Sequence, residues 1–282
     1  MPAADLKRLI ARVEDLPTLP RTVLRITERV NDPRASARDL SRIITDDQVL
    51  TARLLKLVNS SFYGFPQRVS TVTGAIVLIG FDAIRNLLLT TSVFDMFPSR
   101  TSKDRRHQEA LWDHSLGCAI GAKVIGGLLR HEKLEELFVA GLLHDIGKIV
   151  EMALLPDLFT CILSRIDQHR VSISAAEVDI LGCTHADIGR LLGQRWNLAA
   201  KLISIIEHHH SPMAAGPWEV EAAIVHLADI LTRALSLGYG GDDKVPPLDR
   251  TAWDLLRLKT SSLDTIMAAM LDEFDDIGSF LR

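Results

Sequence analysis

The sequence predicts an all-α protein of two helical parts. Apolar residues recur at helical spacing through most of the chain, helix-capping residues stand where several of these stretches begin, and no run of alternating residues reads as a strand. There is no internal repeat.

Leu6, Leu9, Ile10 and Val13 share one helical face before the break at Leu16-Pro17-Thr18-Leu19-Pro20. Val23, Leu24, Ile26, Thr27 and Val30 form a second stretch, which Asn31-Asp32-Pro33 ends. Ser36 is placed to cap a third helix, with Asp39 three residues on in the capping-box position. Asp46 or Asp47 can cap a fourth, over Val49 to Val58. Asn59-Ser60-Ser61 and Gly64-Phe65-Pro66 make an irregular connection. Helix resumes from Thr71 to Phe97, interrupted near Gly80. The faces of Leu54, Leu57, Val58, Ile76 and Ile79 are expected to be buried.

Residues 98–107, PSRTSKDRRH, are polar and mark the boundary between the two parts. Further helices are expected at 109–129, 134–153, 157–169, 174–181, 185–195, 199–209, 217–236 and 249–280, the last broken near Thr260. Ser174 and Glu177 have capping-box spacing. Gly238-Tyr239-Gly240-Gly241 reads as a flexible exit from a helix. The chain thus divides into a helical part over 1–100, a helical bundle over 107–240 and a helical extension over 241–282. The connecting segment is short for a free linker, so the first two parts are expected to share an interface.

With 282 residues, the chain can bury a sizeable core without disulfides. Basic residues number 32 and acidic residues 36, giving a net charge of −4, and aromatics are 5 %. Both figures argue against a nucleic-acid binder. Cys118, Cys161 and Cys183 are scattered, as expected of buried apolar residues in a reducing cytoplasm. The N-terminus carries no signal-peptide pattern, and no apolar stretch approaches membrane-spanning length.

The chemistry lies in the histidines and aspartates. His144-Asp145 sits inside Gly141-Leu142-Leu143-His144-Asp145-Ile146-Gly147-Lys148, at the end of an apolar helix face. A carboxylate buried there needs a cation or hydrogen-bond donors. A metal ion would serve; so would backbone groups at a helix end. His114 lies in Leu111-Trp112-Asp113-His114-Ser115, and His185 opens His185-Ala186-Asp187-Ile188-Gly189. Glu207-His208-His209-His210 ends a helix, where two of the three imidazoles can converge although three cannot within a regular helix. Asp229 sits in the apolar run His226 to Leu231. Glu177 reads first as a helix cap and second as a partner of His185.

In this order the residues resemble the HD superfamily of metal-dependent phosphohydrolases, and more closely its HDOD family, the "HD-related output domain" of bacterial signalling proteins. The marks are Leu16 to Pro20, the run Leu54 to Gly64 with Asn59-Ser60-Ser61-Phe62-Tyr63-Gly64, Val69 to Val72, Ala75-Ile76 with Leu78 to Gly80, Trp112 to Ser115, Gly141 to Lys148, His185 to Gly189 with Trp196, and His209 to Pro212. Together they cover residues 8–240.

The resemblance implies a regulatory output protein with an HD-like bundle in its C-terminal half. It implies His114, His144, Asp145 and Asp229 as a single-metal set, and His185, His209 and His210 as ligands of a second ion, with Asp145 between them. His208 should point away. The ions implied are one or two of Fe or Mn, with Zn as an alternative, since imidazoles and carboxylates suit these metals. Lys148 and Asp145 are the catalytic candidates, Lys148 as the contact to a substrate phosphate. A metal-dependent phosphohydrolase or phosphodiesterase is the alternative function. Partners would be a signalling protein or a phosphate-containing small ligand, with no nucleic acid and no membrane. The Gly-Tyr-Pro segment of the related cyclic di-GMP hydrolases is absent: Ser211-Pro212-Met213-Ala214 follows His210.

Overall fold

A computed structural model describes residues 21–30, 32, 34–59, 63–81, 83–85, 88, 96–97 and 101–281. The expected first helix, the Leu16–Pro20 break and Ser60-Ser61-Phe62 lie outside the described residues. Among those described the regular structure is helical, with no strand. No helix among them is long and apolar enough to cross a membrane. Two compact units are present, one containing Phe97–Met267 and the other the described residues of Thr18–Met96 with those from Ala268 onward.

In the second of these units, α1 (Arg21–Val30), α2 (Ala37–Thr45), α3 (Gln48–Val58) and α4 (Val72–Ile79) follow the expected pattern. Ser36 and Asp39 form the capping box at α2: the Ser36 hydroxyl accepts from the Asp39 amide at 3.2 Å, and the Asp39 carboxylate accepts from the Ser36 amide at 3.1 Å. Asp47, not Asp46, caps α3, accepting from the Leu50 amide at 3.0 Å. Val23, Ile26, Leu40, Ile44, Leu54, Val58, Val72, Ala75 and Ile76 are buried. Ile79 is only half-buried, because it is the last residue of an eight-residue helix whose inward stripe is already closed by Val72, Ala75 and Ile76. The side chain of Leu57 lies outside the described residues.

In the larger unit, α5 (Ser102–Leu128) starts earlier than expected. Thr101 and Asp104 form a capping box, so most of the polar segment 98–107 is helical instead of linker. The expected single helix over 134–153 is two: α6 (Leu134–Leu143) and α7 (Ile146–Leu154), separated at His144-Asp145. There follow α8 (Pro156–His169), α9 (Ile173–Leu181), α10 (His185–Arg195), α11 (Ala200–His208), α12 (Glu219–Ala234) and α13 (Arg250–Leu256); α14 (Leu263–Leu281) begins in this unit, and its residues from Ala268 onward belong to the smaller one. α9 is capped by Ser172, whose hydroxyl accepts from the Ala175 amide at 3.3 Å, and not by the Ser174–Glu177 pair. Glu177 has another partner, described below.

The core is α5 against α6 and α12, with α7 against α10. Two glycines permit the tightest approaches. A Cβ on Gly141 would stand 2.7 Å from the Ala119 Cα and from the Cys118 carbonyl oxygen, so Gly141 lets α6 lie on α5. A Cβ on Gly147 would overlap the His185 carbonyl oxygen and stand 2.7 Å from its carbon, so Gly147 lets α7 meet the start of α10. These contacts bracket the His144-Asp145 break and carry it to His114 on one side and His185 on the other.

Candidate metal centre

The break between α6 and α7 turns two consecutive side chains inward. His144 takes helical angles as the cap of α6, and Asp145 departs from them (φ −99°, ψ 15°). His114 comes from the middle of α5, His185 from the first residue of α10, His209 from the residue that caps α11, and Asp229 from the middle of α12. All six are at most 2 % exposed. His210, one residue past the α11 cap, is half-buried. Its position outside the helix allows His209 and His210 to converge, with ring centroids 3.9 Å apart. His208 is not among the converging side chains; it lies 3.7 Å from the Glu207 carboxylate.

The seven side chains form two facing triads. His114, His144 and Asp229 offer ligand atoms within 4.8 Å of one another, and so do His185, His209 and His210. Asp145 stands between them. Its Oδ2 lies 3.3 Å from Nε2 of both His114 and His144, and its Oδ1 lies 3.2 Å from His185 Nε2 and 3.7 Å from His209 Nε2. One carboxylate oxygen thus faces each triad. His114 Nε2 is also 3.2 Å from Asp229 Oδ1.

The tautomers follow from the hydrogen bonds. His144 Nδ1 is 2.7 Å from the Gly141 carbonyl, and His209 Nδ1 is 2.8 Å from the Ile206 carbonyl. A carbonyl only accepts, so each Nδ1 carries the proton and each Nε2 presents its lone pair inward. His185 Nδ1 lies 2.8 and 2.7 Å from the two Glu177 oxygens, which orients His185 Nε2 in the same way. His226 supports the ring of ligands from behind, its Nδ1 donating to the His209 carbonyl at 2.8 Å while its Nε2 accepts from the Asp249 amide at 3.1 Å.

Burial alone would raise the Asp145 carboxyl, but the proximity of His144, Lys148 and His114 holds it well below the usual carboxylate range. Burial is likewise outweighed at Asp229, chiefly by His114. Both are therefore anionic. At His209 burial, then His210 and His144, push the pKa well down, and burial and His185 bring His210 to about 3. These two imidazoles are neutral near pH 7, the state in which an imidazole ligates a cation.

Whether the donors fit a metal can be judged from unmet polar atoms. Buried polar atoms are almost always paired. Here both ring nitrogens of His114, Nε2 of His144 and His209, Oδ1 of Asp145 and Oδ1 of Asp229 are buried without a hydrogen-bond partner. Except for His114 Nδ1, each lies within 3.9 Å of another polar atom of the cluster. Imidazoles and carboxylates around one or two cations would satisfy them, and that donor set fits Fe, Mn or Zn.

Lys148 lies beside the triads and is 2 % exposed. Its ammonium donates to Asp145 Oδ2 at 2.5 Å and to the Gly240 carbonyl at 2.7 Å. The Gly238–Gly241 segment is therefore not a flexible exit. The Tyr239 amide donates to the Ala110 carbonyl at 2.9 Å, and Asp242 accepts from the Ile173 amide at 2.7 Å and pairs with Arg233. These bonds hold the segment against α5, beside His114.

The cysteines divide differently from expectation. Cys118 is buried, Cys183 is half-buried and Cys161 is exposed, since α8 turns it to the surface. Burial and the nearby Asp187, Glu151 and Glu177 push the Cys183 thiol up to about 12, so it is protonated near pH 7.

An all-α bundle with a buried His/Asp cluster at a helix break defines an HD-type domain. The model of the HDOD domain matches residues 16–212, and the chain belongs to that family. An uncharacterized protein from Treponema pallidum (strain Nichols) is 26 % identical over 254 residues, 88 % of this chain and 47 % of its own length, so the chain spans about half of the curated relative it matches. Among solved structures, an HDOD domain protein of unknown function from Geobacter sulfurreducens is similar at 27 % identity and TM-score 0.74, covering 96 % of this chain and 97 % of its own. A protein described as a candidate metal-dependent phosphohydrolase from Shewanella amazonensis SB2B shares the fold at 20 % identity and TM-score 0.72, with 98 % of each chain covered.

Proposed function

We propose that this chain is an HDOD signalling output protein that holds one or two metal ions in its larger helical unit and works in the cytoplasm through a signalling partner or a phosphate-containing ligand. The observation that carries the reading is Asp145, one oxygen turned to each of two histidine-rich triads, with Nε2 of His114, His144 and His209 and Oδ1 of Asp229 buried and unpartnered. Six of the seven ligand candidates are sealed from solvent. A catalytic metal site keeps a position open to substrate, whereas a structural one is closed. The burial therefore favours retained metal that stabilises a signalling conformation.

The test is metal analysis of protein purified without chelators or affinity nickel, beside an Asp145→Ala variant. One or two equivalents of Fe, Mn or Zn in the natural chain, lost in the variant, supports the reading. Metal-free protein with normal helical content and cooperative melting removes it.

The second reading, a metal-dependent phosphohydrolase, is favoured by Lys148 beside Asp145. A bound metal pair would supply an acidified water and positive charge for phosphoryl oxygens. Asp145 would hold the pair, His209 and His210 would remain neutral ligands, and Lys148 would meet a phosphate oxygen once that oxygen displaced the Gly240 carbonyl. Cyclic di-GMP is a poor fit as substrate: Pro212–Ala214 is a single 3₁₀ turn without charged side chains. A turnover screen of nucleotides and cyclic dinucleotides with Mn- or Fe-loaded protein, against Asp145→Ala, decides between the readings.

A further inference from the structure

The Asn59–Gly64 run marks the family in sequence; its described residues Asn59, Tyr63 and Gly64 lie in the smaller helical unit and are not among the ligand candidates. Its structural role is legible. Asn59 Nδ2 donates to the Leu55 and Val69 carbonyls, each at 2.7 Å, and its Oδ1 accepts from the Val69 amide at 2.7 Å. Three bonds from one side chain thus clamp the stretch ending at Val69 onto the last turn of α3. The clamp shapes a concavity of about 720 Å3, lined by Ala52, Leu55, Lys56, Phe65, Arg68 and Ser70 along with Asn59 and Val69.

That lining has a definite chemistry. Lys56 comes from α3 and Arg68 from the clamped stretch, so two cations from separate elements face one space. Among the described residues no carboxylate lines it. Among the described residues neither cation forms an ion pair, although the chain has more acidic than basic residues. Phe65 adds an aromatic face, held by stacking on Tyr63 at 5.8 Å with 12° between the planes. Lys and Arg bind phosphate oxygens, the Arg fork in bidentate fashion. An aromatic ring accepts a planar base by stacking. The volume is that of a small-molecule site.

We propose that this concavity binds a nucleotide, its phosphates on Lys56 and Arg68 and its base on Phe65. The site shares no lining residue with the metal centre and gives the protein an input for a small signalling ligand. It does not depend on whether metal is bound or turned over.

The experiment is calorimetric titration of the full chain with ADP, adenosine and inorganic pyrophosphate. The variants are Lys56→Ala/Arg68→Ala, Phe65→Leu and Asp145→Ala, each checked by circular dichroism melting. Saturable ADP binding is expected, with adenosine and pyrophosphate each weaker by about tenfold or more because each lacks one of the two anchors. The double variant should weaken ADP by about tenfold or more. Phe65→Leu should weaken ADP and leave pyrophosphate unchanged, while Asp145→Ala leaves ADP unchanged. Three results overturn the proposal: no saturable ADP binding up to about 1 mM, a folded double variant that binds like the natural chain, or pyrophosphate binding as tightly as ADP. ADP binding lost in Asp145→Ala but kept in the double variant would assign the nucleotide to the metal centre instead.

Discussion

Glu177 grips His185 at two points. One carboxylate oxygen accepts from the His185 amide at 2.9 Å, and both lie within 2.8 Å of its Nδ1. Both residues are fully buried. The carboxylate fixes the ring, directs Nε2 at Asp145 and His210, and raises the His185 pKa against the opposing effect of burial.

Glu177→Gln should therefore weaken metal binding at the His185 triad. A glutamine has one accepting oxygen for two N–H groups, and its own NH2 must face one of them. Outer partners of metal histidines typically contribute about 10–100-fold in affinity. Metal stoichiometry should fall from two toward one, with the ion at His114, His144 and Asp229 retained. An unchanged stoichiometry and affinity would rule out a positioning role for Glu177.

Gly147→Ala should cost about 3 kcal/mol or more, at the upper end of overpacking effects. The new methyl group would collide with backbone, at the His185 carbonyl, which cannot swing aside as a flexible side chain can. α7 and α10 would part, taking Asp145 from His185. Chemical denaturation and metal content should fall together. Gly127→Ala, where nothing lies within 4 Å of the added atom, is the control and should be tolerated.

Glu151 predicts an alkaline limb. Burial, then the charge of Glu177, raises its pKa well above the ordinary value, so the folded state retains a proton that the unfolded chain gives up. The stabilising contribution is complete below the unfolded value and is lost as pH rises toward the folded one. Glu151→Gln carries no titrating proton. Its melting temperature should gain on that of the natural chain between about pH 5 and 8. A constant difference across that range would count against a neutral Glu151.

Lys201 predicts the opposite limb. It pairs with Glu221 at 2.5 Å and Glu136 at 3.1 Å, joining α11 to α12 and α6. Burial is outweighed at Glu136 by Lys133 and then Lys201, and at Glu221 chiefly by Lys201, so both pKa values are lowered. A lowered folded pKa gives stability that is present above the ordinary Glu range and lost as pH falls through the folded value. Lys201→Met should be slightly less stable at pH 7 and lose less on acidification. Parallel acid-melting curves for the two proteins would refute it.

Much of the site was legible because its residue types are costly where they occur. A His-Asp pair closing an apolar helix face, or Asp229 inside an apolar helix, has to be explained by a partner. The alignment of those residues with the HD pattern named the set, and the structure brings all seven together. Glu177 was harder to read. Its spacing from Ser174 matches a capping box, but a box requires Ser174 to be the residue immediately before the helix, and Ser172 holds that position. The Gly238–Gly241 segment misled for a related reason. Glycines in sequence signal freedom, whereas here their missing side chains admit the backbone to within hydrogen-bond reach of Lys148 and α5.

The helical class, most helix starts and the α2 capping box were legible from the residues alone, since these depend on periodicity and on neighbours a few residues away. Long-range packing fixed which oxygen of Asp145 faces which triad, the division of one expected helix at His144-Asp145, and the pairing of Glu177 with His185. Those outcomes depend on groups up to 115 residues apart, between His114 and Asp229, meeting within ångströms. Helix–helix approach sets such distances, through glycines at the contacts and burial at the break, and no local pattern encodes them.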